Sequence, residues 1–156
     1  MKWSLSIDPG KSTGWALWRS TTDVPTHTGV LHARGDDFEW VRNAVGMFQD
    51  FWRRDLKGIE IHAATIEAIT FWGVSGRSIA SAARGDSINT AYLIGAMYHF
   101  LTERGCKVDL VDVRKWKGQM TDQAVEAMIK RVIGTGEFKQ HAREAVGIGL
   151  WARGLF

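Results

Sequence analysis

Ser6-Ile7-Asp8-Pro9-Gly10-Lys11-Ser12-Thr13-Gly14-Trp15-Ala16 is the stretch on which the reading of this chain turns. The run from Trp3 to Ile7 is apolar enough for a buried strand. It delivers one acid, Asp8, and then breaks, because Pro9 and Gly10 cannot continue a central strand. A second apolar run, Trp15-Ala16-Leu17-Trp18, follows at once. The pattern predicts a strand, a tight turn and an antiparallel strand, with one carboxylate at the bend. Taken alone, an Asp before Pro-Gly is a turn residue. A catalytic reading requires partner acids elsewhere.

The bulk numbers bound the search. A chain of 156 residues is expected to form one domain, residues 1–156, with a real core. It contains no run of 18 apolar residues and no signal-peptide-like apolar segment at its start, so no membrane span is expected. Cys106 is the single cysteine, which precludes an intrachain disulfide and fits a reducing cytoplasm. The net charge of +3 is uneven: residues 104–143 carry +4 and the remainder −1. That bias suits a phosphate-bearing partner. Eight tryptophans are many for this length, enough for both core and base-stacking roles.

Outward from the first stretch, Lys2 to Asp8, Thr13 to Arg19 and Thr28 to Ala33 read as three strands of an antiparallel meander. Asp36-Asp37 opens a helix in which Phe38, Val41, Val45, Phe48 and Phe51 recur at three and four. Acids at its start and Arg53-Arg54 at its end suit the helix dipole. Ile59 to Ile69 reads as a central strand, apolar except for Glu67, an acid that is costly there unless paired or bound to a metal. Phe71 to Asp86 is loop-like, with Gly73, Gly76 and Gly85. Residues 87–104 form a second helix with Ile88, Ala91, Met97, Phe100 and Leu101 on its apolar side, stopped by Gly105. Lys107 to Val113 is the fifth strand, and Arg114-Lys115-Trp116-Lys117-Gly118 a basic, aromatic-containing loop. Thr121 caps a helix containing Val125, Met128, Ile129 and Val132, which Gly134 and Gly136 end. A last helix runs from about Gln140 to Arg153. This order predicts an α/β, ribonuclease-H-like mixed five-stranded sheet, three strands antiparallel and two parallel, flanked by helices.

Ile7-Asp8-Pro9-Gly10 followed by Thr13-Gly14-Trp15-Ala16 resembles the first motif of RuvC-type Holliday junction resolvases of phage or bacteria. These are ribonuclease-H-fold, metal-dependent nucleases. His141-Ala142-Arg143-Glu144-Ala145-Val146-Gly147-Ile148-Gly149-Leu150 resembles their C-terminal motif, in which an Asp or His precedes an Asp by three residues. The spacing puts His141 and Glu144 on one helix face. The resemblance implies one site, both metal-ligating and catalytic, made of Asp8, Glu67, His141 and Glu144. It would hold two Mg2+ or Mn2+ ions about 4 Å apart. One ion would orient and deprotonate a water and the other stabilise the leaving 3′ oxygen, giving nicks with 5′-phosphate and 3′-hydroxyl ends.

The same resemblance implies a homodimer acting on four-way DNA junctions, in the cytoplasm or in that of a phage host, with helix 87–104 and its Met97-Tyr98-His99 stretch as the dimer face. Lys11, Arg77, Arg114, Lys115 and Lys117 are the expected basic contacts to DNA, and Phe71 and Trp72 the expected stacking groups. One position departs: Glu144 stands where the family usually has Asp, and its extra methylene moves the carboxylate by about 1 to 1.5 Å. Magnesium tolerates such displacement badly.

Three other readings stay open at this stage. One is another nuclease of the same fold, acting on RNA or flaps. A second is a junction-binding protein whose cleavage is impaired by Glu144. The third, an actin-like or sugar-kinase-like phosphate binder using Asp8 and Gly10, needs a second comparable domain that 156 residues do not accommodate.

Overall fold

The computed structural model describes residues 2–69, 86–134 and 137–156. In chain order the elements are β1 (Trp3–Asp8), β2 (Ser12–Arg19), β3 (His27–His32), α1 (Glu39–Arg54), β4 (Ile61–Ala68), α2 (Asp86–Thr102), β5 (Lys107–Asp112), α3 (Val113–Trp116), α4 (Asp122–Ile133) and α5 (Gln140–Ala152). The five strands form one sheet in the order β3-β2-β1-β4-β5. The meander β1-β2-β3 is antiparallel, and β4 and β5 run parallel to β1. This is the predicted mixed sheet.

Strand alternation sorts the side chains to two faces. Leu5 and Ile7 of β1, Leu17 of β2 and Ala64 and Ile66 of β4 join a core with α1 and α2 residues such as Phe48, Phe51, Leu93 and Leu101. Ala16 and Trp18 of β2 and Val111 of β5 turn the other way, into a second core with Val125 and Ile129 of α4 and Ala145, Ile148 and Leu150 of α5. Ser6 lies on this second face. Its hydroxyl donates to the Ala145 carbonyl of α5 at 2.7 Å and accepts from the Trp18 indole at 2.8 Å. A buried hydroxyl with both roles filled anchors α5 to the sheet.

Several boundaries differ from the sequence reading. α1 starts at Glu39, not at Asp36-Asp37, because Asp37 takes a left-handed conformation (φ 45°) that a helix cannot include. Phe38 is consequently exposed, outside the helix's apolar stripe. Arg114 to Gly118 is not simply a loop. Asp112 accepts the Arg114 backbone N–H at 2.8 Å, caps the short helix α3, and so turns Trp116 inward, where it is 2% exposed. On α2, Ile88 and Ala91 face outward, and the buried set is Leu93, Ile94, Met97, Phe100 and Leu101. α2 is apolar on more than one side, so periodicity did not single out its inner face. Asp86, assigned to a loop, opens α2; residues 71–85 and Gly136 lie outside the described residues. Thr121 and Gly134 cap α4 as expected, the Thr121 hydroxyl accepting from Ala124 N–H and Gly134 adopting φ 79°.

Candidate active site

Asp8 is the last residue of β1 and follows Ser6 by two, so its carboxylate emerges on the α5 face. The turn behind it is closed by Thr13, whose hydroxyl donates to the Gly10 carbonyl at 2.8 Å and accepts the Gly10 N–H at 3.3 Å. β1 and β4 are parallel with Ile7 opposite Ile66, which sets Asp8 beside Glu67. Glu67 alternates with the core residue Ile66 and therefore also faces α5. The helix brings the other two groups: His141 sits in the first turn of α5 and Glu144 one turn on.

α5 approaches this end of the sheet closely because β2 carries Gly14 there. A Cβ at Gly14 would overlap the backbone carbonyl of His141. Gly14 thus earns its place in the first motif by steric need, independent of any contact with substrate.

Each acid has a different partner. Asp8 Oδ2 is 3.0 Å from His141 Nδ1, and this bond raises the His141 pKa above its usual value against the opposing effect of burial. Glu67 accepts from the Trp116 indole N–H at 2.7 Å. Burial, then the charges of Asp8 and Glu144, push the Glu67 carboxyl up to about 7, although the Trp116 bond and Lys117 pull the other way. Glu144, 9% exposed, is bound through both oxygens by Lys117 Nζ at 3.0 and 3.2 Å. Lys117 also donates to Asp122 at 2.9 Å, and Arg143 braces the rim with Glu126 at 2.9 Å and Asp122 at 3.9 Å. Burial alone would lower the Lys117 pKa; its bonds to Asp122 and Glu144 outweigh that and raise it.

The donor types fit a hard divalent cation. Three carboxylates face one end of α5, and two of them disfavour ionisation of the third. Among the described residues, however, no three such side chains stand close enough to hold an ion as placed. Their oxygens are turned to His141, Trp116 and Lys117 instead.

The remaining expected residues divide three ways. Lys115 is exposed on α3, and Lys11 is exposed with Nζ 4.0 Å from Asp36. Arg114 is paired with Asp112 at 3.1 Å, and Lys117 faces the acids rather than the solvent. Phe71, Trp72 and Arg77 lie outside the described residues. Sequence reasoning missed Trp116 and Asp122 as partners of the acids. Trp116 reaches back 49 residues to Glu67, so no local pattern signals it, and Asp122 acts through Lys117, five residues before it, which the sequence offered only as a phosphate contact.

No family model matches the chain, and no curated protein matches it. Solved structures do. The chain is similar to RuvC of Thermus thermophilus in complex with a Holliday junction substrate (TM-score 0.70, 16% identity, 98% of this chain and 96% of that one). It is also similar to another Thermus thermophilus RuvC structure (TM-score 0.67, 16% identity, 97% and 95%). The yeast mitochondrial Holliday junction resolvase Ydc2 matches as well (TM-score 0.59, 14% identity, 97% of this chain and 81% of that one). The fold is therefore the ribonuclease-H-like fold of RuvC-type resolvases across nearly the whole chain.

Proposed function

We propose that this chain is a structure-specific endonuclease that resolves four-way DNA junctions by divalent-metal-dependent phosphodiester hydrolysis. The observation that carries the reading is the convergence of Asp8, Glu67, His141 and Glu144 on the end of the sheet beneath α5, three acids and an imidazole from three separated segments. The likeness to a RuvC bound to a Holliday junction supports the choice of substrate.

In this reading Asp8 and Glu67 are ligands from adjacent strands, and His141 and Glu144 are ligands from α5. Bound Mg2+ or Mn2+, two ions per site, would supply an activated water and charge stabilisation at the leaving 3′ oxygen. Asp8 holds His141 by Nδ1, leaving Nε2 as the ring nitrogen that can ligate or donate. Trp116 fixes the Glu67 carboxylate from the core side. Lys115 and Lys11 are exposed cations near the same end and supply phosphate contacts. The products are nicks with 5′-phosphate and 3′-hydroxyl ends.

Symmetric nicking needs two copies of the site, so the active species is a homodimer. The exposed apolar side chains Ile88, Tyr92 and Tyr98 of α2, with Phe38 edge-on to Tyr92 at 5.3 Å, are its contact face. Met97, by contrast, is buried in the protomer.

A second reading, junction binding without cleavage, is favoured by one observation: Lys117 already neutralises Glu144. A synthetic four-way junction incubated with the protein and Mg2+ or Mn2+ separates the two. The expected result is paired nicks that DNA ligase reseals, absent from a linear duplex of the same sequence. Tight binding with no nick in either metal selects the second reading.

A further inference from the structure

Lys117 is the only group at the site that brings a fixed positive charge to a candidate ligand among the described residues. Asp8 is held by an imidazole and Glu67 by a neutral indole, whereas an ammonium covers both oxygens of Glu144. The same Nζ reaches a second carboxylate, Asp122, at 2.9 Å. The two acids differ in exposure: the Glu144 side chain is 12% exposed and that of Asp122, the first residue of α4, is 51% exposed. Lys117 thus bridges an inner acid that faces the site and an outer acid that faces solvent. Its stem is anchored, since Trp116 beside it is buried, while its flexible end has an acceptor on either side.

We propose that Lys117 gates the ion occupancy of the site: its ammonium is the counter-cation of Glu144 until a divalent ion takes that carboxylate, and Asp122 is the acceptor that retains Lys117 once it has been displaced. This rests on the metal-dependent reading above. Two classes of ion position follow. No ammonium stands on Asp8 or Glu67, so an ion there displaces only a hydrogen bond or a proton. A ligand set that includes Glu144 must first displace an ammonium held by two charge-assisted hydrogen bonds, so it fills only at higher ion concentration. Asp122 makes that displacement reversible rather than leaving Lys117 unpaired in a half-buried position.

Mn2+ binding to the full chain without DNA, by calorimetry and by the electron paramagnetic resonance of free Mn2+, tests this directly. The parent protein should bind one ion more tightly than a second. Lys117→Met should tighten the weaker step tenfold or more. Asp122→Asn should weaken the same step about threefold, because Lys117 loses its outer acceptor and stays on Glu144. The control Lys130→Met, the same charge change at an exposed position late in α4, should leave both steps within twofold. If Lys117→Met does not fold, the exposed Asp122→Asn carries the test alone. An unchanged weaker step in Lys117→Met, or a tighter one in Asp122→Asn, overturns the gate while leaving the metal reading intact. Absence of any Mn2+ binding by the parent overturns both.

Discussion

On the α1/α2 face of the sheet, Leu5, Ile7, Leu17 and Ile66 meet Phe48, Phe51, Phe100 and Leu101. One residue along the same strands, the α5 face carries Ser6, Asp8, Thr65 and Glu67. The first face needs only shape and apolar surface, and its helix α1 packs through Trp40, Val41, Ala44, Phe48 and Phe51. The second face gives up apolar area to hold polar groups, and each acid on it has a donor from a distant segment. One residue out of register, the two faces of a single sheet carry different loads: an apolar core alone on one, a second core and a cluster of paired acids on the other. Substitutions on the two faces should therefore fail in different ways.

The largest loss of stability is expected on the apolar face. Phe48→Ala removes a side chain that is 2% exposed and should cost about 3–5 kcal/mol, read from denaturant midpoints, while the fraction still folded keeps its metal binding. Loss of metal binding at full foldedness would show that the faces are not independent.

Gly14→Ala tests the opposite face. Its new Cβ meets the His141 backbone, not a movable side chain, so α5 must shift. The stability cost should be about 2–3 kcal/mol. Cleavage, normalised to folded protein, should fall further than in Phe48→Ala, because the shift moves His141 and Glu144 relative to Asp8. Equal normalised activity in the two variants would erase the contrast.

An effect of similar size separates the faces by pH. The Glu67 carboxyl titrates near 7 in the folded protein against an ordinary value of 4.5, chiefly because it is buried. The folded state then holds a proton that the unfolded state has lost, so Glu67 makes the metal-free protein less stable as pH rises from 4.5 through about 7. Glu67→Gln should stabilise it by about 3 kcal/mol at pH 8 with chelator present, and by nothing below pH 4. Thermal melts across that range measure the difference; a pH-independent offset would mean Glu67 is not desolvated.

The smallest effect is at the exposed rim. Lys115→Ala should reduce the salt dependence of junction binding by about one unit of slope. An unchanged slope would mean that α3 faces away from DNA.

How much of this was legible in the sequence follows the same division. The meander, the crossovers and the caps of α4 were readable because apolar periodicity and residues such as Pro9, Gly10, Thr121 and Gly134 act locally. Asp8 and Glu67 stood out because each is an acid ending or interrupting an apolar strand. The face of α2 was misread, since a helix apolar on several sides carries no directional signal. The inward turn of Trp116 was not legible, because it depends on Asp112 capping a four-residue helix inside a segment whose basic residues suggested a loop. The pairing of Lys117 with Glu144 spans 27 residues and depends on how α5 docks, which Gly14 and Ser6 control from the far side of the chain.

Under the proposed function, the acidic end of the α5 face is the reaction centre and not the surface that holds the DNA. The direct measurement runs cleavage and binding side by side on a synthetic four-way junction, in saturating Mn2+, for the parent and for Asp8→Asn. Junction affinity should stay within about threefold of the parent while nicking falls by about a thousandfold, roughly 4 kcal/mol of transition-state stabilisation. Nicking by Asp8→Asn at the parental rate would contradict the proposed function.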